Sequence, residues 1–198
     1  MQMSGSGILT GSSIVLVPLE ESHREELRKA LHHPEIWEYT WRKISSEKDL
    51  DEIISLALEQ KKQGTHIPFT ILEKVSGKVI GTTRIGDIDV TNRNAEIGWT
   101  WLSPAYWRTR VNTECKYLLL QYCFEQAEAI RVQFSVSGHN ERSQKALERI
   151  GAKKEGVFRK HRIKSDGSVH DNVFYSILDT EWSEVSEKLK HLLERKYV

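Results

Sequence analysis

A change of hydrophobic period across an arginine-bearing loop constrains this chain more than any other feature. From Ala95 to Leu102 apolar and polar residues alternate as in a strand, with Ile97, Trp99 and Trp101 on one face and Glu96, Gly98 and Thr100 on the other. Pro104 closes that run, and Trp107-Arg108-Thr109-Arg110-Val111-Asn112-Thr113 follows. Val111, Cys115, Leu118 and Tyr122 then recur at offsets of four, three and four, the stripe of a helix reaching roughly Gln126. A loop that enters a helix N-terminus presents N–H groups without intrahelical partners, which is a place to hold an anion. Arg108 and Arg110 add charge to those donors. After an alternating run through Val132, Phe134 and Val136, Asn140-Glu141-Arg142-Ser143 opens a second short helix that stops at Gly151. Strand, anion loop, helix, strand and capped helix form an order suited to a phosphate-bearing ligand threaded between two strands.

The rest of the chain supplies a sheet for that unit. Ile14 to Val17 reads as a first strand, and Glu20 to His33 as a helix with Leu27, Ala30 and Leu31 on one stripe, ended by Pro34. Ser45 or Ser46 caps a second helix that reaches about Gln63, with Leu50, Ile53, Ile54 and Leu58 at helical spacing. Ile67 to Leu72 and Lys78 to Ile85 form a hairpin around Val75-Ser76-Gly77, and Asn92-Arg93-Asn94 turns into the strand described above. A last hairpin pairs Gly156 to Ile163 with Val169 to Leu178. Antiparallel meanders joined to one strand–helix–strand crossover predict an α+β fold with a mixed sheet. Residues 1–12 read as a flexible lead-in and 13–180 as one domain. Residues 181–198 read as an amphipathic helix packed on that domain, or as a dimer element.

Composition removes several function classes. At 198 residues the chain suits a single core. With 29 basic against 28 acidic residues, no long-range field steers it to nucleic acid or to an anionic membrane. No apolar run approaches the roughly 18 residues of a membrane span, and the first residues lack the basic and apolar regions of a secretory signal. Cys115 and Cys123 fall on one predicted helix about 12 Å apart, too far to bond, so reduced thiols and a cytoplasmic location are expected. The histidines show no metal-ligand spacing, and no metal is expected.

Three stretches together resemble a known family: Ala95 to Pro104, Trp107 to Glu114, and Asn140 to Ser143 with Ala146-Leu147 and Gly151-Ala152. In this order and spacing, the chain from about Ile14 to Leu178 resembles the GCN5-related N-acetyltransferases (GNATs), in the branch similar to RimJ and RimL. The resemblance implies a mostly antiparallel sheet flanked by helices, with a splayed strand pair holding acetyl-CoA. It implies main-chain pairing of the pantetheine arm near Trp101, Leu102 and Ser103. The diphosphate would lie on Arg108, Thr109, Arg110, Val111, Asn112 and Thr113, with a further cofactor contact from Asn140. It places the amine acceptor against Trp37, Tyr39 and Trp41. The family's loop runs Gln/Arg-x-x-Gly-x-Gly/Ala, whereas arginines stand at Arg108 and Arg110 where small residues are usual. Arg110 then either clamps a phosphate or crowds the loop, and crowding would leave a catalytically weak GNAT-fold module acting through partners.

Direct transfer of an acetyl group needs a held thioester, a proton acceptor for the amine and a proton for the leaving thiolate. Glu96 is a candidate base and cation binder, on the face opposite Ile97; its alternative role is structural. Many GNATs place a tyrosine acid where this chain has Leu147, and in this branch a serine corresponding to Ser143 takes over. Ser143 shares a stripe with Leu147 and Ile150, so its hydroxyl points inward, or else it only helps satisfy the helix start behind Asn140. Expected partners are therefore acetyl-CoA and an amine-bearing substrate, with a homodimer open.

Overall fold

Strand register, more than helix placement, creates the site. The computed structural model describes residues 1, 7–40 and 42–195. Among them eight strands form one sheet in the order β1-β2-β3-β4-β5-β6-β8-β7. They are β1 (Leu9–Thr10), β2 (Ile14–Pro18), β3 (Ile67–Glu73), β4 (Val79–Asp89), β5 (Asn94–Leu102), β6 (Arg131–Ser137), β7 (Lys153–Ile163) and β8 (Val169–Leu178). Every neighbouring pair is antiparallel except β5 with β6. That exception follows from the helical crossover between Leu102 and Arg131, since parallel strands need a long connection.

The helices divide between the two faces. Helices α1 (Arg24–Leu31) and α2 (Glu47–Lys62) bury Leu27, Leu31, Leu50, Ile53 and Ile54 in one apolar cluster that includes Val79. Helices α3 (Val111–Gln121), α4 (Glu141–Ile150) and α5 (Trp182–Glu194) bury Leu119, Leu147, Ile150 and Leu189 in another that includes Ile80. Consecutive strand residues point to opposite faces, so Val79 and Ile80 place the clusters on opposite sides of β4. The α2 start is fixed by Ser46, whose hydroxyl takes the Asp49 N–H at 3.3 Å while Asp49 takes the Ser46 N–H at 2.9 Å. Gly151, at φ +100°, ends α4 in the left-handed conformation that glycine adopts without a Cβ penalty.

Several expectations need correction. Residues 9–10, within the expected lead-in, pair with β2. Next to them the buried Glu114 carboxylate of α3 accepts the N–H and hydroxyl groups of both Ser12 and Ser13. Gly11 lies so close to that carboxylate that an added Cβ would overlap it. The helix expected from Glu20 begins with a tight turn over Glu21–His23, and the helix expected to run to Gln126 widens into a π-type turn over Tyr122–Gln126.

The largest correction concerns faces. On β5, Gly98 pairs with Arg84 and Trp101 with Thr82, so Trp99 and Thr100 together oppose the single residue Thr83. This bulge, with Trp99 at φ +49°, breaks the simple alternation. Trp101 is thereby carried to the face of Glu96 and Gly98, and Thr100 crosses to the other. Trp101 meets Trp37 at 4.9 Å between ring centroids, while Thr100 Oγ1 lies 2.8 Å from both Thr83 Oγ1 and Lys116 Nζ.

Candidate active site

The parallel ladder between β5 and β6 is short. Asn94, Ala95 and Glu96 face Arg131, Val132 and Gln133, and pairing stops there. Beyond it β5 continues along β4 only and β6 along β8 only, so the strands separate. A cavity of about 630 Å³ fills the gap. Its walls come from both faces of the sheet: Asn112 and Lys116 of α3 and Ser143 and Leu147 of α4 on one side, Trp37, Tyr39 and Ile53 near α1 and α2 on the other. The opening therefore passes through the sheet, and two ligands can meet in it from opposite faces.

The start of α3 adjoins one end of the cavity, where Asn112 lines it. Among the described residues no side chain caps α3 at Arg110, and the Val111 N–H in its first turn meets Thr109 Oγ1 at 3.3 Å. Arg108 lies at φ +60°, the left-handed region where a side chain costs about 1–2 kcal/mol. Arg110 lies at φ −66°, ordinary helical backbone that needs no glycine. Neither arginine side chain has a hydrogen bond or ion pair among the described residues, so both charges remain available. Trp107 anchors the loop by donating from Nε1 to the Leu102 carbonyl at 2.9 Å, and the Arg142 guanidinium of α4 stacks on its ring at 4.2 Å. The two lips of the gap are thereby bridged. Thr113 is buried and accepts from Arg149 at 2.9 Å.

Asn140 caps α4, its Oδ1 accepting the Ser143 N–H at 3.0 Å. It is the Ser143 main chain that this cap engages. The Ser143 hydroxyl has no partner among the described residues and lines the cavity. Trp101 lines the cavity as well, and Leu102 is buried. Both Ser103 main-chain groups are committed, the N–H to Ile80 and the carbonyl to the Tyr106 N–H, each at 2.9 Å. Trp41 lies outside the described residues.

Glu96 is the electrostatic centre. It is 9 % exposed, and burial pushes its carboxyl up from an ordinary 4.5 to about 7. The Gln133 amide donates to it at 2.9 Å and, with the positive charges of Arg162 and Lys116, opposes that rise; Asp87 adds to it. Asp87 lines the same cavity, whereas Asp89 caps the following turn through Asn92. A carboxyl poised near neutrality can take a proton from an ammonium and release it again. Lys116, 7 % exposed and held low by burial, was not singled out by sequence reasoning. Its position four residues after Asn112 on one helix face was the available signal. Gln133 and Arg162 were also missed, because only the ladder end and the β7–β8 hairpin bring them to Glu96.

A splayed parallel pair, an uncapped helix start beside it and a through-sheet cavity define an acyl-transfer scaffold, and similarity agrees. The family model for the acetyltransferase (GNAT) domain matches residues 13–153. The chain belongs to the GNAT family and is an acetyltransferase. YdaF of Bacillus subtilis, named for ribosomal N-acetyl transfer, is 35 % identical over 106 residues, which cover 54 % of this chain and 57 % of YdaF. The chain thus matches little more than half the length of that relative. A GCN5-related N-acetyltransferase from Brucella melitensis superposes with a TM-score of 0.86 at 27 % identity, over 95 % of this chain and 86 % of that one. Mycobacterium smegmatis RimJ, solved in complex with CoA-disulfide, shares the fold with a TM-score of 0.78 at 18 % identity, over 96 % of this chain and 94 % of that one.

Proposed function

We propose that this acetyltransferase moves an acetyl group from acetyl-CoA directly to a primary amine, either a protein N-terminus or a small amine. The observation that carries the reading is the cavity that crosses the sheet between β5 and β6, with anion-ready groups at one end and a buried carboxyl and aromatic wall at the other. When bound, acetyl-CoA supplies an activated thioester. Arg108, Arg110 and the first turn of α3 take the diphosphate, Asn140 contributes a polar contact, and the unpaired edge of β5 around Trp101 pairs with the pantetheine arm. Glu96 draws in the ammonium and accepts its proton. Trp37 and Tyr39, with Trp41 beside them in sequence, form the acceptor wall. The free Ser143 hydroxyl donates a hydrogen bond to the departing thiolate. Neither buried cysteine is needed as a nucleophile, since burial pushes the Cys115 thiol up to about 11 and Cys123 higher still.

The alternative, a GNAT-fold module that has lost its ligand, draws on Arg108 and Arg110 standing where small residues are usual; the helical backbone of Arg110 needs no glycine, whereas Arg108 lies at φ +60°. A cytoplasmic location and a possible homodimer belong to the same proposal. The test is a thermal melt with acetyl-CoA and with CoA lacking the 3′-phosphate, followed by thiol release over a panel of amines. Ligand at 100 times its Kd adds about 2.7 kcal/mol, or roughly 5–10 °C here. No shift at millimolar acetyl-CoA would overturn the proposal.

A further inference from the structure

The acceptor end of the cavity adjoins a second recess of about 340 Å³, and the two share Trp37, Thr40 and Arg42. None of the loop residues from Arg108 to Thr113 lines the recess, so it stands apart from the anion-ready start of α3. Arg42 and Lys43, between α1 and α2, and Lys164, at the start of the β7–β8 turn, give it three cations against one carboxylate, Asp166. The Arg42 and Lys43 side chains have no hydrogen bond or ion pair among the described residues. Lys164 Nζ is held in place by one bond, to the Glu38 carbonyl at 2.7 Å, which leaves two N–H groups to offer. Asp166 is engaged by the Ser168 N–H at 2.8 Å and hydroxyl at 2.6 Å.

The wall behind is also cationic. The Arg84 guanidinium, 2 % exposed, lies 5.9 Å and 5.8 Å from the Trp99 and Trp101 rings that face the cavity. It donates to Gln60 at 3.0 Å and to the Ile53 carbonyl at 3.2 Å, its Nε has no partner, and no carboxylate pairs with it among the described residues. A bare ammonium approaching this end meets more cations than carboxylates, the latter being Glu96, Asp87 and Asp166. An acceptor that also carries an anion is attracted instead.

We infer that the recess formed by Arg42, Lys43 and Lys164 is a carboxylate subsite, and that the acceptor is an amine with a carboxylate close to its nitrogen. This rests on the amine-acetylation reading above. Glu96 holds the ammonium end and the recess holds the carboxylate end. The same chemistry is presented by a free amino acid and by a peptide N-terminus with an acidic residue in its first positions.

The test is calorimetric titration of the whole protein saturated with CoA, using two matched pairs. One is Ser-Glu-Ala-amide against Ser-Gln-Ala-amide; the other is alanine against alaninamide. In at least one pair the carboxylate member binds at least tenfold tighter at 50 mM salt, the advantage shrinks at 500 mM, and the pair that shows it identifies the source. In the Arg42→Glu/Lys164→Glu double variant that preference disappears while CoA affinity is retained; Lys43→Glu repeats the measurement if the double variant does not fold. Equal binding within both pairs, no binding of any member, or loss of CoA affinity in the variants overturns the inference. Thiol release in the same mixtures separates the two ideas. Selective binding without release leaves the subsite and removes amine transfer, whereas release with equal use of both members does the reverse.

Discussion

Replacing Glu96 by glutamine should make the free protein more stable above neutral pH while crippling transfer. The Glu96 carboxyl is raised from 4.5 to about 7, so the folded state binds its proton more tightly than the unfolded chain does. Between these values the unfolded state carries fewer protons, and stability falls as pH rises. The contribution is fully present below pH 4.5 and is lost once pH has passed about 7. At about 1.36 kcal/mol for each pH unit the loss is of order 3 kcal/mol. Glutamine keeps an acceptor for the Gln133 amide, now at 2.9 Å, and never ionises. Glu96→Gln should therefore match wild type near pH 4.5 and exceed it by up to about 3 kcal/mol at pH 8, roughly 6–12 °C in Tm. Urea unfolding of both proteins from pH 4.5 to 8.5, without ligand, measures this directly. A stability difference that stays constant across the range would refute the reasoning. In turnover, wild-type kcat/KM should rise through about pH 7 for acceptors of different amine pKa, and the variant should lose about 10²–10⁴-fold.

Three further outcomes are expected. Arg108→Gly relieves a side chain from φ +60° and should stabilise the protein by about 1 kcal/mol, read as a higher urea midpoint with an unchanged slope. Ser143→Ala removes a hydroxyl without a protein partner, so unfolding free energy should change by no more than about 0.5 kcal/mol while kcat falls and the Kd for acetyl-CoA holds. Lys116→Met withdraws a positive charge that lowers the Glu96 pKa, so the acid limb of the pH–rate profile should move to higher pH; a shift to lower pH would contradict the assigned electrostatics.

Residues close in sequence announced themselves, and those joined by register did not. The Ser46 cap, Asn140 cap and Gly151 stop are local devices, each legible from a few neighbouring residues and each found where expected, and α3 begins just after the arginine loop as its period implied. The crossover implied the parallel pair. The Trp99 bulge carried one local mark, the isolated Gly98 just before it, which strict alternation passed over, placing Trp101 on the wrong face. The cationic recess is non-local, because Lys43 and Lys164 lie 121 residues apart in the chain and meet only when the last hairpin folds back over the segment between α1 and α2. A total charge of +1 hides that local imbalance.

The Glu114 clamp ties the start of the chain to the helix that begins at the anion loop. Cutting the chain just ahead of β2 would strand a carboxylate that is 2 % exposed and leave it without its four donors. The damage would surface 101–102 residues along the chain, as a looser start of α3, because Glu114 sits on the first turn of that helix. A segment that looks dispensable by length is therefore a tether on the start of α3. Shortened versions of this enzyme should keep Gly11, Ser12 and Ser13.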